Sequence, residues 1–494
     1  MKDDFTRDSF DATKHYSRVM LQQGRVQLDA DWNEQTSIVL HYLRTLAADL
    51  LGPHAGPADK LGFEIITQAF PSTSLDAKLE ELESNEKRRR TLKAALKRGD
   101  MIIGPGRYYV AGILAENDVA ILYSEQNEDS GIDDIKNRDR PMLVYLDVWE
   151  REVIYVEDER IREVALGGPD TCTRVKVMWQ VKVLKSQGTA DIDCTAADSL
   201  AALGTGKLRA RARLDKPPVE LCVVPPESRY RGAENQLYRV EVHTGGSATG
   251  GATFKWSREN GSVVFPIRTL AGATATLETF GRDLRLGLSE GDWVEILDDA
   301  LVVGETAGYL AQVSRLNGDE SSISLTSLAN TDLPTYGVED AYKKHPYLRR
   351  WDHAGDLKHF GGALQITETD DIENGWLTLE DGVQISFSKG VKGAIYRIGD
   401  YWLIPARTIT SNVEWPYERR DNGDMVAATL LAHGPQHAYA PLYLLPDPAG
   451  AMTGGSQDCR CRIEPLKYPT TSARESDALA SDAGTPGSSS SQSI

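Results

Sequence analysis

Cysteine is scarce in this chain of 494 residues, with five at positions 172, 194, 222, 459 and 461. So small and odd a number, without short regular spacing, excludes a disulfide-framed miniature scaffold and leads us to expect a reducing compartment at synthesis. Long hydrophobic runs are missing too. No stretch of about 18 apolar residues occurs, which excludes a transmembrane helix. The segment Met1–Asp8 has no apolar core of the kind a secretory signal needs, so synthesis in the cytoplasm is expected. Cations are in deficit, with 55 Lys plus Arg against 73 Asp plus Glu and a net charge of −18. Nucleic acid and anionic lipid call for clustered cations, and that balance argues against both as partners. Contiguous catalytic signatures are absent as well. There is no Gly-x-Ser-x-Gly elbow, and the run Gly245–Gly251 lacks the lysine and following helix of a phosphate-cradling loop.

What is present is an ordinary globular mixture, 40% hydrophobic and 26% charged. At ~150 residues per domain the length predicts about three domains. A helix is predicted over 31–51. Asp31 is the expected cap, with Glu34 three residues on, and Val39, Leu43, Leu46 and Leu50 form one apolar face before Gly52-Pro53. A second helical stretch, 74–98, carries a leucine stripe but is polar nearly all round, and reads as a solvated surface hairpin or insertion. Beyond residue 100 the period becomes two. The segments 142–148 and 152–156 read as two strands around Trp149-Glu150-Arg151, and 174–184 as a half-buried strand. Further strands are expected at 237–243, 252–256, 263–267, 293–297, 377–379, 384–387 and 402–405, with turns at Asn260-Gly261 and Asp381-Gly382. Few helices interleave, so the expected class is mainly β, of antiparallel sandwich- or barrel-like modules, with an N-terminal helix and a helical insertion in a multidomain chain. The expected units are 1–60 (extended segment and helix), 61–185 (mixed, with the insertion), 186–330 and 331–450 (two β domains), and 451–494 (a disordered Ser-rich tail).

Constellations for chemistry are thin. His433 and His437 stand four apart, but Gly434-Pro435 between them breaks any helix, so a loop packed on Tyr439 is expected. Cys459-Arg460-Cys461 is too close-spaced for a zinc pair and reads as two free thiols near the tail. The acidic run 367–375 fails the calcium-loop pattern. No catalytic, cofactor-binding or metal-ligating residue is assigned, and no cofactor is expected. Most of the nine tryptophans fall on predicted strands or their ends. Core packing is the first reading, and an exposed row that binds sugar or anchors a protein contact is the alternative.

Several stretches together resemble a known family: Gln22-Gln23-Gly24-Arg25-Val26-Gln27-Leu28-Asp29-Ala30-Asp31-Trp32-Asn33-Glu34, Leu143–Arg151, Arg162–Thr171 running into Val177–Val181, Ala252–Ser262 and Gly399–Arg407. They are similar to an uncharacterised bacterial family encoded beside phage-tail-like contractile injection systems, and the likeness spans residues 10–440. The resemblance implies a structural or accessory part of such a particle (baseplate, fibre-like, cap or surface component). Its partners would be the other subunits of the assembly, including further copies of itself, with no nucleic acid and no membrane insertion. It would be made in the cytoplasm and then belong to a particle that is released or envelope-associated. A glycan or surface-recognition module, an envelope-polysaccharide-degrading enzyme and a delivered cargo are the rival readings. Arg25 and Trp32 are then interface anchors, or they merely fix the N-terminal segment to its own body.

Overall fold

The computed structural model describes residues 5–126, 135, 140–186, 192–200, 204–213, 230–281, 285–328, 332–357, 360–371, 373–390, 393–420, 423–446 and 457–464. The chain is mainly β, in three packed assemblies. The first joins both ends of the chain. The strand Met142–Val153 is flanked by Arg174–Lys185 and by Ala438–Leu445, both antiparallel, and Ala438–Leu445 pairs outward with Gln457–Asp458. Its apolar face packs on a smaller sheet of His54–Pro57, Gly106–Val110 and Ile113–Asn117, to which Arg462–Ile463 adds a parallel edge. Trp149-Glu150-Arg151 continues the ladder, so the two strands expected at 142–156 are one. Trp149 is buried and the two charged residues are half-buried at an end of the sheet, which hides the alternation in the sequence.

The helical stretch 74–98 is two helices, α2 (Ser72–Leu82) and α3 (Glu86–Lys97), divided where Asn85 caps α3 by accepting from the Arg88 amide at 3.1 Å. Their leucine stripe is not solvated. Leu79, Leu92 and Leu96 are buried with Ile66 and Ile102 of a three-stranded sheet. The charged majority faces outward, which is why composition alone gives a surface element.

The second assembly is a sandwich. A five-stranded sheet built on Gln236–Thr244, Thr253–Ser257 and Tyr401–Arg407 faces a sheet built on Lys207–Ala212 and Val383–Ser388, and Phe254, Phe387, Tyr396 and Trp402 meet between them. The third is a closed six-stranded antiparallel barrel, from Val264–Ala271 to Tyr347–Trp351, inserted between sandwich strands Thr253–Ser257 and Leu364–Gln365. A boundary at 330 falls inside this barrel, because Tyr347–Trp351 closes it. The Asn260-Gly261 turn that leads into the barrel puts both residues at positive φ, 55° and 68°, as a tight reversal requires. No helix among the described residues is long and apolar enough to cross a membrane.

Two expectations at the C-terminal end are corrected. Residues 457–464 are structured, while 465–494 lie outside the described residues. Cys459 is not a free thiol: it is disulfide-bonded to Cys194 across 265 residues, tying this segment to the short helix Cys194–Leu200. Cys172 and Cys461 are free and exposed. The pairing was invisible in the sequence because it depends on the long-range return of 457–463 to the N-terminal sheets. Closing so long a loop restricts the unfolded chain, so Cys194→Ser is expected to cost about 2–4 kcal/mol of stability. Calorimetry of that variant under oxidising conditions checks this, and an unchanged transition would mean that the crosslink constrains nothing.

Candidate functional site

The helix begins two residues earlier than expected. It is α1, Asp29–Leu51, about 34 Å long at 1.5 Å per residue. Leu28 is the capping residue, not Asp31. The Asp31 carboxylate instead accepts from the Leu28 amide at 3.0 Å, and Glu34 accepts from the Ser9 hydroxyl. The extended arm that precedes α1 doubles back along it. Asp8 accepts from Ser37, the Val19 amide donates to Gln35 at 2.8 Å, and Phe10 packs on His41. The start of the arm is held to the sandwich by Asn260 Nδ2, which donates to the Phe5 carbonyl at 3.0 Å, and by an Arg7–Glu414 ion pair at 2.8 Å. At the far end Arg44 reaches Glu150 at 2.6 Å.

The sequence-predicted apolar face of α1 points away from the body. Only Ala30 and Ile38 are buried in the whole helix, while Val39, Leu43, Leu46 and Leu50 are 46–74% exposed. Trp32 is 67% exposed, and it is the one tryptophan of nine that is neither buried nor half-buried. Arg25 stands exposed in a turn, its amide donating to the Gln22 carbonyl at 3.2 Å. Among the described residues, neither the Arg25 nor the Trp32 side chain makes a hydrogen bond, ion pair or ring contact with the body of the chain. Twelve large apolar side chains between Tyr16 and Leu50 are more than a third exposed. Together they offer on the order of 1,000 Å², above the ~300–600 Å² of a typical monomer's largest apolar patch and comparable to the ~800 Å² that each partner gives a standard interface.

Sequence reasoning missed a second feature, a cleft where the three assemblies meet. It is open to solvent and lies between Trp149 of the N-terminal sheet, Leu301 of the short helix Asp299–Val303 and Glu305 just beyond it, Tyr347 of the barrel and Gly399 of the sandwich. His437 stands behind Glu305. Its Nδ1 lies 2.6 Å from Asp147 and its Nε2 2.9 Å from Glu305, with Trp149 and Tyr439 stacked on its ring. Lys182 holds the other Asp147 oxygen at 2.7 Å. The expected packing on Tyr439 is therefore present, but His433 goes elsewhere: its backbone pairs with Tyr401, and burial lowers its pKa. No group of three or more potential metal ligands occurs among the described residues. The signal for this constellation is spread over positions 147, 305 and 437, where no local motif could carry it.

Burial pulls the His437 imidazole down, but the hydrogen bonds and charges of Asp147 and Glu305 outweigh it and lift the pKa to about 9. A raised folded-state pKa stabilises the protonated form. That stabilisation is full below the ordinary 6.5, declines as pH rises from there, and is lost above about 9. The ceiling is about 3 kcal/mol, and partial solvation of Glu305 reduces it. Wild-type stability is therefore expected to fall across pH 6.5–9 relative to a His437→Gln variant. Chemical denaturation of both proteins at several pH values measures the difference, and parallel profiles would remove His437 from the account.

Burial also raises Asp400, to about 6, and raises Glu157 despite its Arg151 partner at 2.5 Å. The arrangement is a fixed imidazolium between carboxylates at a three-way junction, and it orients Glu305 toward the cleft. No curated protein and no solved structure matches this chain. A family of unknown function, DUF6519, matches it over residues 1–205 and 194–494. Those two matches span the described fold from the arm to the C-terminal strands, and the chain belongs to that family.

Proposed function

We propose that this chain is an assembly subunit: a structural or accessory component (baseplate, fibre-like, cap or surface part) of a phage-tail-like contractile injection system, with the N-terminal arm and α1 as its docking element. One observation carries the reading. A 23-residue helix directs its leucine stripe and Trp32 into solvent and not onto the sheets beneath it. Water-exposed apolar surface of this extent is unfavourable by about 25 cal/mol per Å² until something covers it, and another subunit does so. The sequence resemblance to proteins encoded beside such particles supplies the kind of neighbour. Arg25 and Trp32 are the anchors at the two sides of the arm-to-helix junction. The burial of most tryptophans speaks against a sugar-binding aromatic row, so the glycan reading gains no support from them.

The test is made in the native host. The protein is expected to sediment with sheath and tube, and deleting its gene is expected to stop assembly or firing. Particles that form and contract normally without it would refute the proposal.

A further inference from the structure

The outward stripe of α1 has a spacing that exposure alone does not require. Trp32, Thr36, Val39, Leu43, Leu46 and Leu50 follow one another at intervals of four, three, four, three and four residues. That is the alternation of the two core positions of a coiled coil, and all six side chains are exposed. At about 100° per residue they stay within about 40° of Trp32, with the exposed Leu40 and Tyr42 on the two flanks. The opposite face is fixed to the body. Ala30 and Ile38 are buried, Arg44 pairs with Glu150, and a Cβ on Gly112 would stand 2.4 Å from the Arg44 carbonyl oxygen. A roll of the helix that hid the stripe would break these contacts.

Resting on the docking-arm reading, we propose that the occupant of this stripe is the same stripe of a second copy, packed antiparallel about a two-fold axis at the level of His41. The spacing reads the same from both ends. In that register Trp32 meets the partner's Leu50, Thr36 the partner's Leu46 and Val39 the partner's Leu43, and each contact occurs twice, as an isologous interface requires. Leu40 and Tyr42 meet their own counterparts on the two sides of the axis. A parallel pair would instead set Trp32 on Trp32 and Thr36 on Thr36, and its next layer would oppose Asp29 to Asp29. Charge favours the antiparallel arrangement too. It brings the partner's Asp49 to the level of Gln35, where the arm is held through the Val19 amide at 2.8 Å. Arg18 is exposed there, within a stretch, Ala12–Leu28, that has no Asp or Glu. Eight large apolar side chains from Leu28 to Leu50 are exposed, on the order of the ~800 Å² that each partner gives a standard interface. The helix is already formed on its own body, so pairing bears no nucleation cost. Six layers make a short seam. A dilute chain is therefore expected to be monomeric, and the pair to form where copies are concentrated or held in a particle.

The experiment uses the full chain with Cys172, Cys222 and Cys461 replaced by serine and the native disulfide kept. One preparation carries Thr36→Cys and another Leu46→Cys. Mixed at high concentration under mild oxidation, the two are expected to give a crosslinked pair on a non-reducing gel. Neither is expected to crosslink alone, because like positions lie about 15 Å apart along the antiparallel pair, beyond disulfide reach. In sedimentation equilibrium Thr36→Leu, which replaces the polar residue of the seam, is expected to tighten self-association at least about tenfold. Thr36→Cys that crosslinks to itself would make the pair parallel and overturn the register. Thr36→Leu that leaves association unchanged would overturn the seam as the contact. A chain that stays monomeric at its highest attainable concentration, with or without Thr36→Leu, overturns the second-copy proposal outright. Co-sedimentation with particles in that case leaves the docking-arm reading standing, with a different subunit on the stripe.

Discussion

Aspartate at both Leu43 and Leu46 is expected to remove the protein from its assemblies while leaving the fold intact. Both side chains are more than half exposed in the isolated chain, at 57% and 56%, so within the fold the substitutions are surface changes. They cost a few tenths of a kcal/mol each, mostly in helix propensity. In an assembly that covers α1 the same positions are buried. Losing a covered leucine costs about 1.5–3 kcal/mol, and an unpaired carboxylate left in its place adds several more. Two such sites predict a weakening of at least a thousandfold, which in practice means no assembly. Calorimetry and co-sedimentation separate the terms. A collapsed thermal midpoint would show that the stripe belongs to the core of the chain, and unchanged co-sedimentation would show that no partner covers it.

The second large effect lies beneath the cleft, where the barrel sits on the sandwich. Lys255 of strand Thr253–Ser257 donates to Glu295 of barrel strand Trp293–Leu297 at 2.6 Å and stands 3.4 Å from Glu241. Arg239 binds the other Glu241 oxygen at 2.7 Å, and Trp351 Nε1 and the Gly308 amide donate to Glu295. All four charged groups are buried to within 1%. Gly308 is required for this approach, because a Cβ there would stand 2.6 Å from Glu295 Cγ.

Such a network is stable only as a whole. Lys255→Met removes the cation that bridges the two buried carboxylates and is expected to cost about 3–5 kcal/mol. Adding Glu295→Gln to that variant removes the uncompensated charge and keeps an acceptor for one of the two donors, the Gly308 amide or Trp351 Nε1, so part of the loss returns. Denaturant unfolding of the single and double variants measures this. A double variant no better than the single would mean that the cost comes from packing and not from charge.

The periodic elements were legible in the sequence. Strand 293–297 matches residue for residue, the flanking strands fall within a few positions, and the leucine stripes of 31–51 and 74–98 were both visible. What periodicity does not encode is where a stripe points. The stripe on α3 meets Ile66 and Ile102, while that on α1 meets solvent. Strand Tyr347–Trp351 was missed for a related reason. Its sequence, Tyr-Leu-Arg-Arg-Trp, looks solvated, yet all five residues are buried, with Arg349 donating to the Gly261 carbonyl and Arg350 to that of Gly287. Buried charge is satisfied by partners distant in sequence, and single-chain patterning cannot see them. The same limit hid the cleft and the Cys194–Cys459 bond. Of the candidate site, Arg25 and Trp32 were readable from the resemblance, and their exposure was not.

The most direct test places a single cysteine at Leu46 of the full chain, with the free native cysteines replaced by serine, and compares its labelling by a bulky maleimide in isolated protein and in purified particles. If a neighbouring subunit covers the outward face of α1, labelling is fast in the isolated chain and strongly suppressed in the particle. Equal labelling in the two states would contradict the account.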